Sequence, residues 1–148
     1  FIQRFTLILL VVVVALVSCS KEEVSLSSTP TISLLSIAPK VVQEFSDSLV
    51  LTIAYEDGDG DLGGVHPDSV NLFITDSRIG IVYGFRIQEL VPGGAEVPIK
   101  GTFKVVLKGL FRVTDTATSE TVSFEIYAKD KAGNRSNTVV SEEIRVTE

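Results

Sequence analysis

The chain has 148 residues, with 13 basic and 19 acidic side chains, a net charge of −6, one histidine, one cysteine, and neither methionine nor tryptophan. That length suits one domain with a sizeable core, and the acidic balance argues against nucleic acid and anionic membrane surfaces as partners. A lone cysteine excludes an intrachain disulfide, and with a single histidine beside it there are too few groups for a multi-His or multi-Cys zinc site or a hydrolase triad.

Taken in chain order, Arg4 precedes an apolar run from Phe5 to Val17, broken only by Thr6, that closes on Ser18 and Cys19. A positive charge, an apolar stretch and small residues at its end describe a secretion signal, and the run falls short of the about 20 residues that a bilayer span needs. Leu16-Val17-Ser18-Cys19 resembles the acceptor site of a bacterial lipoprotein signal. The resemblance implies a signal peptide at 1–18, a covalent lipid such as palmitate on Cys19, and a membrane anchor carrying several acyl chains. Two or more chains hold a protein stably. Loss of Arg4 with the signal leaves 12 basic against 19 acidic side chains, a mature charge of −7. The chain opens on Phe1 and lacks methionine, so its true start is expected upstream. Residues 19–30, rich in Ser, Thr and charge, read as a flexible tether to the body at 31–148. Ser20-Lys21-Glu22-Glu23 resembles the export signal of Bacteroidota surface lipoproteins, which implies the outer membrane and exposure at the cell surface. An ordinary charged linker explains those residues equally well.

From Thr31 onward, short apolar alternation replaces any helical period. Leu49, Leu51, Ile53 and Tyr55 fall on one face, as do Val70, Leu72 and Ile74, Phe103, Val105 and Leu107, and Val122, Phe124, Ile126 and Ala128. The pattern predicts strands near 31–37, 48–55, 69–76, 80–90, 102–108, 121–129 and 138–146, with room for a bend at Gly84. Turns fall at Ala38-Pro39, Pro92-Gly93-Gly94 and Ala132-Gly133-Asn134, and 109–119 reads as an exposed loop. About seven such strands predict an all-β fold, a single immunoglobulin-like antiparallel β-sandwich.

Between the second and third segments lies Asp57-Gly58-Asp59-Gly60-Asp61-Leu62-Gly63-Gly64. Glycines let the backbone curl so that several carboxylates face one centre. Carboxylates ~4 Å apart repel by about 1 kcal/mol per pair in water, and by more near protein. A hard cation reverses that cost, and calcium, which accepts six to eight oxygen ligands loosely, suits it best. Asp57, Asp59, Asp61 and Asp68 match EF-hand positions, but Leu62 stands where the turn needs glycine, so an EF-hand is rejected. His66 in the same loop reads as solvated.

The stretch Val122 to Ser136, with Ala128-Lys129-Asp130, resembles the penultimate strand and turn of bacterial immunoglobulin-like and cadherin-like domains. That resemblance implies a calcium role for Asp59, Asp61 and Asp130, and in such a sandwich the two loops share an end. The expected metal set is Asp57, Asp59, Asp61 and Asp130, against a rival reading of a solvated Asp-Gly turn with Asp130 capping its own turn. Asp47-Ser48-Leu49, Asp68-Ser69-Val70 and Asp115-Thr116-Ala117 resemble the Bacteroidota O-glycosylation triplet, making Thr116, Ser69 and Ser48 candidate acceptors. Phe73, Tyr83, Phe85 and Tyr127 are candidates for a glycan-stacking face, against core packing. The expected function is a lipid-anchored, non-catalytic binding or adhesion lipoprotein of the envelope, stabilised by calcium, with a glycan or an envelope protein as ligand. The alternative is a structural or accessory subunit without a small-molecule ligand, and an enzyme is the least favoured reading.

Overall fold

The computed structural model describes residues 26–148. The predicted signal peptide, the lipid acceptor Cys19 and the tether through residue 25 lie outside the described residues. Ten strands follow: β1 (Thr31–Ala38), β2 (Val41–Gln43), β3 (Ser48–Asp57), β4 (Leu72–Asp76), β5 (Val82–Phe85), β6 (Ile99–Lys108), β7 (Ser119–Val122), β8 (Phe124–Ala128), β9 (Val139–Val140) and β10 (Ile144–Thr147). One 3-10 turn spans Pro92–Gly94, and the described residues contain no α-helix. No helix among them is long and apolar enough to cross a membrane.

The protein is all-β, in three sheets ordered β1-β3-β6, β2-β10-β7 and β5-β4-β8-β9. Each of the seven predicted segments contains strand, and the count rises to ten because two of them are interrupted and β2 adds a strand outside all seven. After β1 the chain meets Pro39, which has no N–H to donate, and it resumes as β2 in a different sheet. The predicted strand at 121–129 breaks at Ser123 into β7 and β8, and that at 138–146 breaks into β9 and β10. Because both breaks fall side by side, the second and third sheets continue one another. One pairing departs from the antiparallel expectation: β2 runs parallel to β10. Gly84 does not divide its segment into two strands: β5 is continuous through it, and the Val70 side chain packs where a Cβ would stand.

The alternation predicted for the core holds where the strands are long. Leu49, Leu51 and Ile53 of β3 and Leu107 of β6 face Leu72, Ile74, Phe124 and Ile126 of the opposing sheet, all at most 1 % exposed. Phe124 is the largest wholly buried side chain. Phe124→Ala is therefore expected to lower stability by about 3–5 kcal/mol, read as a shift in the urea midpoint with unchanged slope. Val70 departs from its predicted face and is 53 % exposed.

Two buried serines, Ser136 and Ser141, flank β9 and extend its pairing with β8. Ser136 accepts from the Ala128 N–H at 2.9 Å through Oγ, while its own N–H donates to the Ala128 carbonyl at 3.0 Å. Ser141 repeats the arrangement at the other end: its Oγ accepts from the Phe124 N–H at 2.9 Å and its N–H donates to the Phe124 carbonyl, also at 2.9 Å. Each hydroxyl stands in for a strand carbonyl, so a β9 of two residues is stitched to β8 at both ends.

Strands β3 and β6 pair over ten positions, from Ser48↔Lys108 to Asp57↔Ile99. At 3.3–3.4 Å per residue, that separates the two ends of the body by about 30 Å. Asp57 lies at one end. Phe45 and Phe111 lie at the other, with rings stacked at 6.1 Å.

Candidate metal centre

The acidic loop leaves the end of β3 and is held by two backbone hydrogen bonds and by the Arg86 side chain. The Gly58 N–H donates to the Ser27 carbonyl at 2.8 Å, so the last residues of the predicted tether rest against the loop. The Gly64 N–H donates to the Ile87 carbonyl at 2.9 Å. The Arg86 guanidinium donates to the carbonyls of Gly64, at 3.0 Å, and Val65, at 2.9 Å. Gly60 has φ +73°, and a Cβ there would collide with the Val97 carbonyl. Gly133, in the facing turn, has φ +90° with open space around it. Gly60→Ala adds a collision to the left-handed strain, whereas Gly133→Ala adds only the strain, about 1–2 kcal/mol. Gly60→Ala is thus expected to cost at least about twice as much as Gly133→Ala, checked by paired thermal melts.

The facing turn comes from the end of β8. The Lys131 N–H donates to the Asp61 carbonyl at 3.3 Å, and the Ala132 N–H to Asp61 Oδ2 at 3.1 Å. Asp130 caps its own turn, accepting from the Asn134 backbone N–H at 2.7 Å and from Asn134 Nδ2 at 2.8 Å. Both of its oxygens thus have partners. Its charge still reaches the loop, where it helps raise the pKa of both Asp57 and Asp61.

Asp57, Asp59 and Asp61 each place one ligand oxygen within 4.8 Å of the others. Asp57 is sealed from solvent, and Asp59 and Asp61 are half-buried. Asp57 Oδ2 accepts from the Leu62 N–H at 2.8 Å. The Oδ1 atoms of Asp57, Asp59 and Asp61 are buried without a hydrogen-bond partner among the described residues. A buried polar atom left unpaired costs about 1–3 kcal/mol, more when charged. Burial pushes the Asp57 carboxyl above its ordinary range; the Leu62 N–H opposes this, and the charges of Asp59 and Asp130 reinforce it. Burial, then Asp130 and Asp59, raise Asp61 to about 6.

The other predicted residues fall elsewhere. His66 and Asp68 are exposed on the same loop. Among the candidate glycosylation sites, Thr116 is exposed, while Ser48 and Ser69 are half-buried, Ser69 lying against Gly64. Phe73 and Tyr127 stand stacked at 4.8 Å, and the Arg135 guanidinium covers the Tyr127 ring at 3.8 Å. That ring has no open face for a sugar. Tyr83 and Phe85 pack against the core.

Sequence patterning did not find Asn71, which it placed on a wet strand face. Asn71 is buried and links three segments. Its Nδ2 donates to the Ile87 carbonyl at 3.1 Å and its Oδ1 accepts from the Ile87 N–H at 2.6 Å. Its backbone carbonyl accepts from Lys129 at 2.8 Å. It ties the strand that precedes Asp130 to the segment that braces the acidic loop. Comparison of the chain with protein-family models, with curated proteins and with solved structures yields no match.

Proposed function

We propose that this chain is a lipid-anchored, non-catalytic binding module of the bacterial outer membrane, facing the cell surface, whose immunoglobulin-like sandwich is braced at one end by calcium. One observation carries the metal assignment: three carboxylates in a single loop, one from an aspartate with no solvent contact, bring an oxygen apiece together, and each also has a buried oxygen without a hydrogen-bond partner among the described residues. Two oxygens bound to one calcium at 2.3–2.6 Å stand at most about 5 Å apart. The 4.8 Å spread of the three carboxylates falls inside that limit. Asp57, Asp59 and Asp61 would hold the ion, and Asp130 would add negative charge from beside it. The ion would supply the partners that the orphaned oxygens lack and cancel their repulsion. For the fold, support comes from β1-β3-β6 packing across one core against β5-β4-β8-β9 and its continuation. Support for the anchor comes from the lipoprotein-like signal ending at Cys19.

Calorimetric titration of calcium into the purified chain is expected to give saturable binding that Asp59→Asn with Asp61→Asn removes. Absence of heat, with no change in melting temperature, rejects the metal assignment. Incorporation of a palmitate analogue that is lost in Cys19→Ala tests the anchor.

A further inference from the structure

Strand β6 is the longest open edge among the described residues. It pairs with β3 along all ten residues and with nothing on its other side. Among the described residues, no backbone hydrogen bond outside that ladder reaches residues 99–108. The remaining sheet edges are short, two to four residues in β2, β5, β7 and β9. The edge at β1 carries a register shift between Leu34 and Ser36. Natural proteins blunt long edges with such shifts, proline, brevity or charge, because an open edge pairs with other chains. β6 has neither proline nor bulge. What it has is lysine: Lys100, Lys104 and Lys108, all exposed and all on the outer face. Only Lys100 has an acidic residue opposite, Glu56; Lys104 faces Thr52 and Lys108 faces Ser48. None of the three forms an ion pair among the described residues. This is a basic stripe on a chain of net charge −6.

Beside that edge runs a groove of about 320 Å³, lined by apolar Ile87, Leu90, Phe103 and Val105 together with Arg86, Gln88 and Lys104. Leu90 and Phe103 are only half-buried.

We infer that β6 is a docking edge for an extended segment of another protein that alternates acidic and apolar residues. Side chains of an added strand alternate between two faces. Its apolar residues enter the groove at Leu90 and Phe103, and its acids meet Lys104 and Lys108. Main-chain bonds to the open edge supply the affinity, and the side-chain alternation supplies the choice of partner. A second copy of this chain does not fit. Antiparallel pairing centred on Lys104 sets Lys104 against Lys104 and Lys100 against Lys108, and like charges directly opposite destabilise a sheet. The same lysines that block self-pairing thus select an acidic strand.

Backbone amide exchange of the full chain is measured with and without a synthetic peptide that alternates valine and glutamate over the length of β6. Exchange is expected to slow along β6, and the peptide is expected to bind at least about tenfold more tightly than one with lysine in place of glutamate. Lys104→Glu with Lys108→Glu reverses that preference. Lys104→Gln with Lys108→Gln removes it without reversal. Both positions point into solvent, so the variants are expected to melt as the parent does. Unchanged exchange at β6, a preference indifferent to the charge reversal, or dimers of the chain formed through β6 overturns the inference.

Discussion

Without calcium, the protein is expected to become less stable as pH rises from 5 to 7; with calcium the trend reverses. Burial, Asp130 and Asp59 raise Asp61 to about 6 in the folded state, against about 3.9 when unfolded. Asp57 is shifted in the same direction, chiefly by burial. A raised folded-state pKa means that the native state holds its proton more tightly. Between the unfolded and folded values it therefore binds more protons than the unfolded chain, and stability falls as pH climbs through that window. From Asp61 alone the loss between pH 5 and 7 is about 1 kcal/mol, and Asp57 adds to it. Glu44 and Glu120, held low by Arg112 and by the Val113 N–H respectively, act oppositely, but their contribution is lost only below about pH 4.5 and leaves this window untouched. A bound dication displaces the protons and needs both carboxylates ionised, so its effect grows with pH. At a hundredfold excess over its Kd it adds about 2.7 kcal/mol. Urea melts at pH 5 and pH 7.5, in chelator and in calcium, check the crossing. Asp59→Asn with Asp61→Asn flattens both curves and raises the calcium-free stability at neutral pH. Parallel curves that rise together in chelator and in calcium would defeat the expectation.

Removing both stitching hydroxyls, Ser136→Ala with Ser141→Ala, is expected to cost about 2–6 kcal/mol, with each single change costing about 1–3 kcal/mol. The serines are 6 % and 7 % exposed, and each accepts from a strand N–H with no second partner, Ala128 at one end and Phe124 at the other. Alanine fits the space and leaves both N–H groups buried and unsatisfied. The loss is a desolvation penalty rather than a cavity. Hydrogen exchange is expected to accelerate first at the amides of Phe124 and Ala128 and then through β10. That strand stays attached by its ladders to β2 and β7. Threonine at both positions keeps a hydroxyl and is expected to recover most of the stability. A double variant as stable as the parent, with unchanged exchange at Phe124, contradicts the assigned role.

Much of this fold could be read from alternation. Leu49, Leu51 and Ile53 declare an inner face because a strand turns every second side chain to one side, and that period depends only on neighbouring residues. The same holds for Val122 through Ala128, which stay inward even across the break at Ser123. Asp57, Asp59 and Asp61 could be picked out together because glycines between them allow the chain to fold back locally. Other features were illegible. Asn71 alternates like a surface residue, and only the arrival of Ile87 and Lys129 makes it a buried junction. A residue as short and apolar as Val41 or Val42 carries no sign that its partner lies about a hundred positions away, in β10.

Periodicity, charge and composition are local properties, and from them follow an all-β body, its inner faces and a loop dense in carboxylates. Which edges stay open, where a serine replaces a carbonyl, and that Asp57 is sealed away with an unpaired oxygen depend on strands distant in the chain packing together. Those are consequences of long-range pairing, where each group must find its partner or go without, and no window of neighbouring residues contains that information.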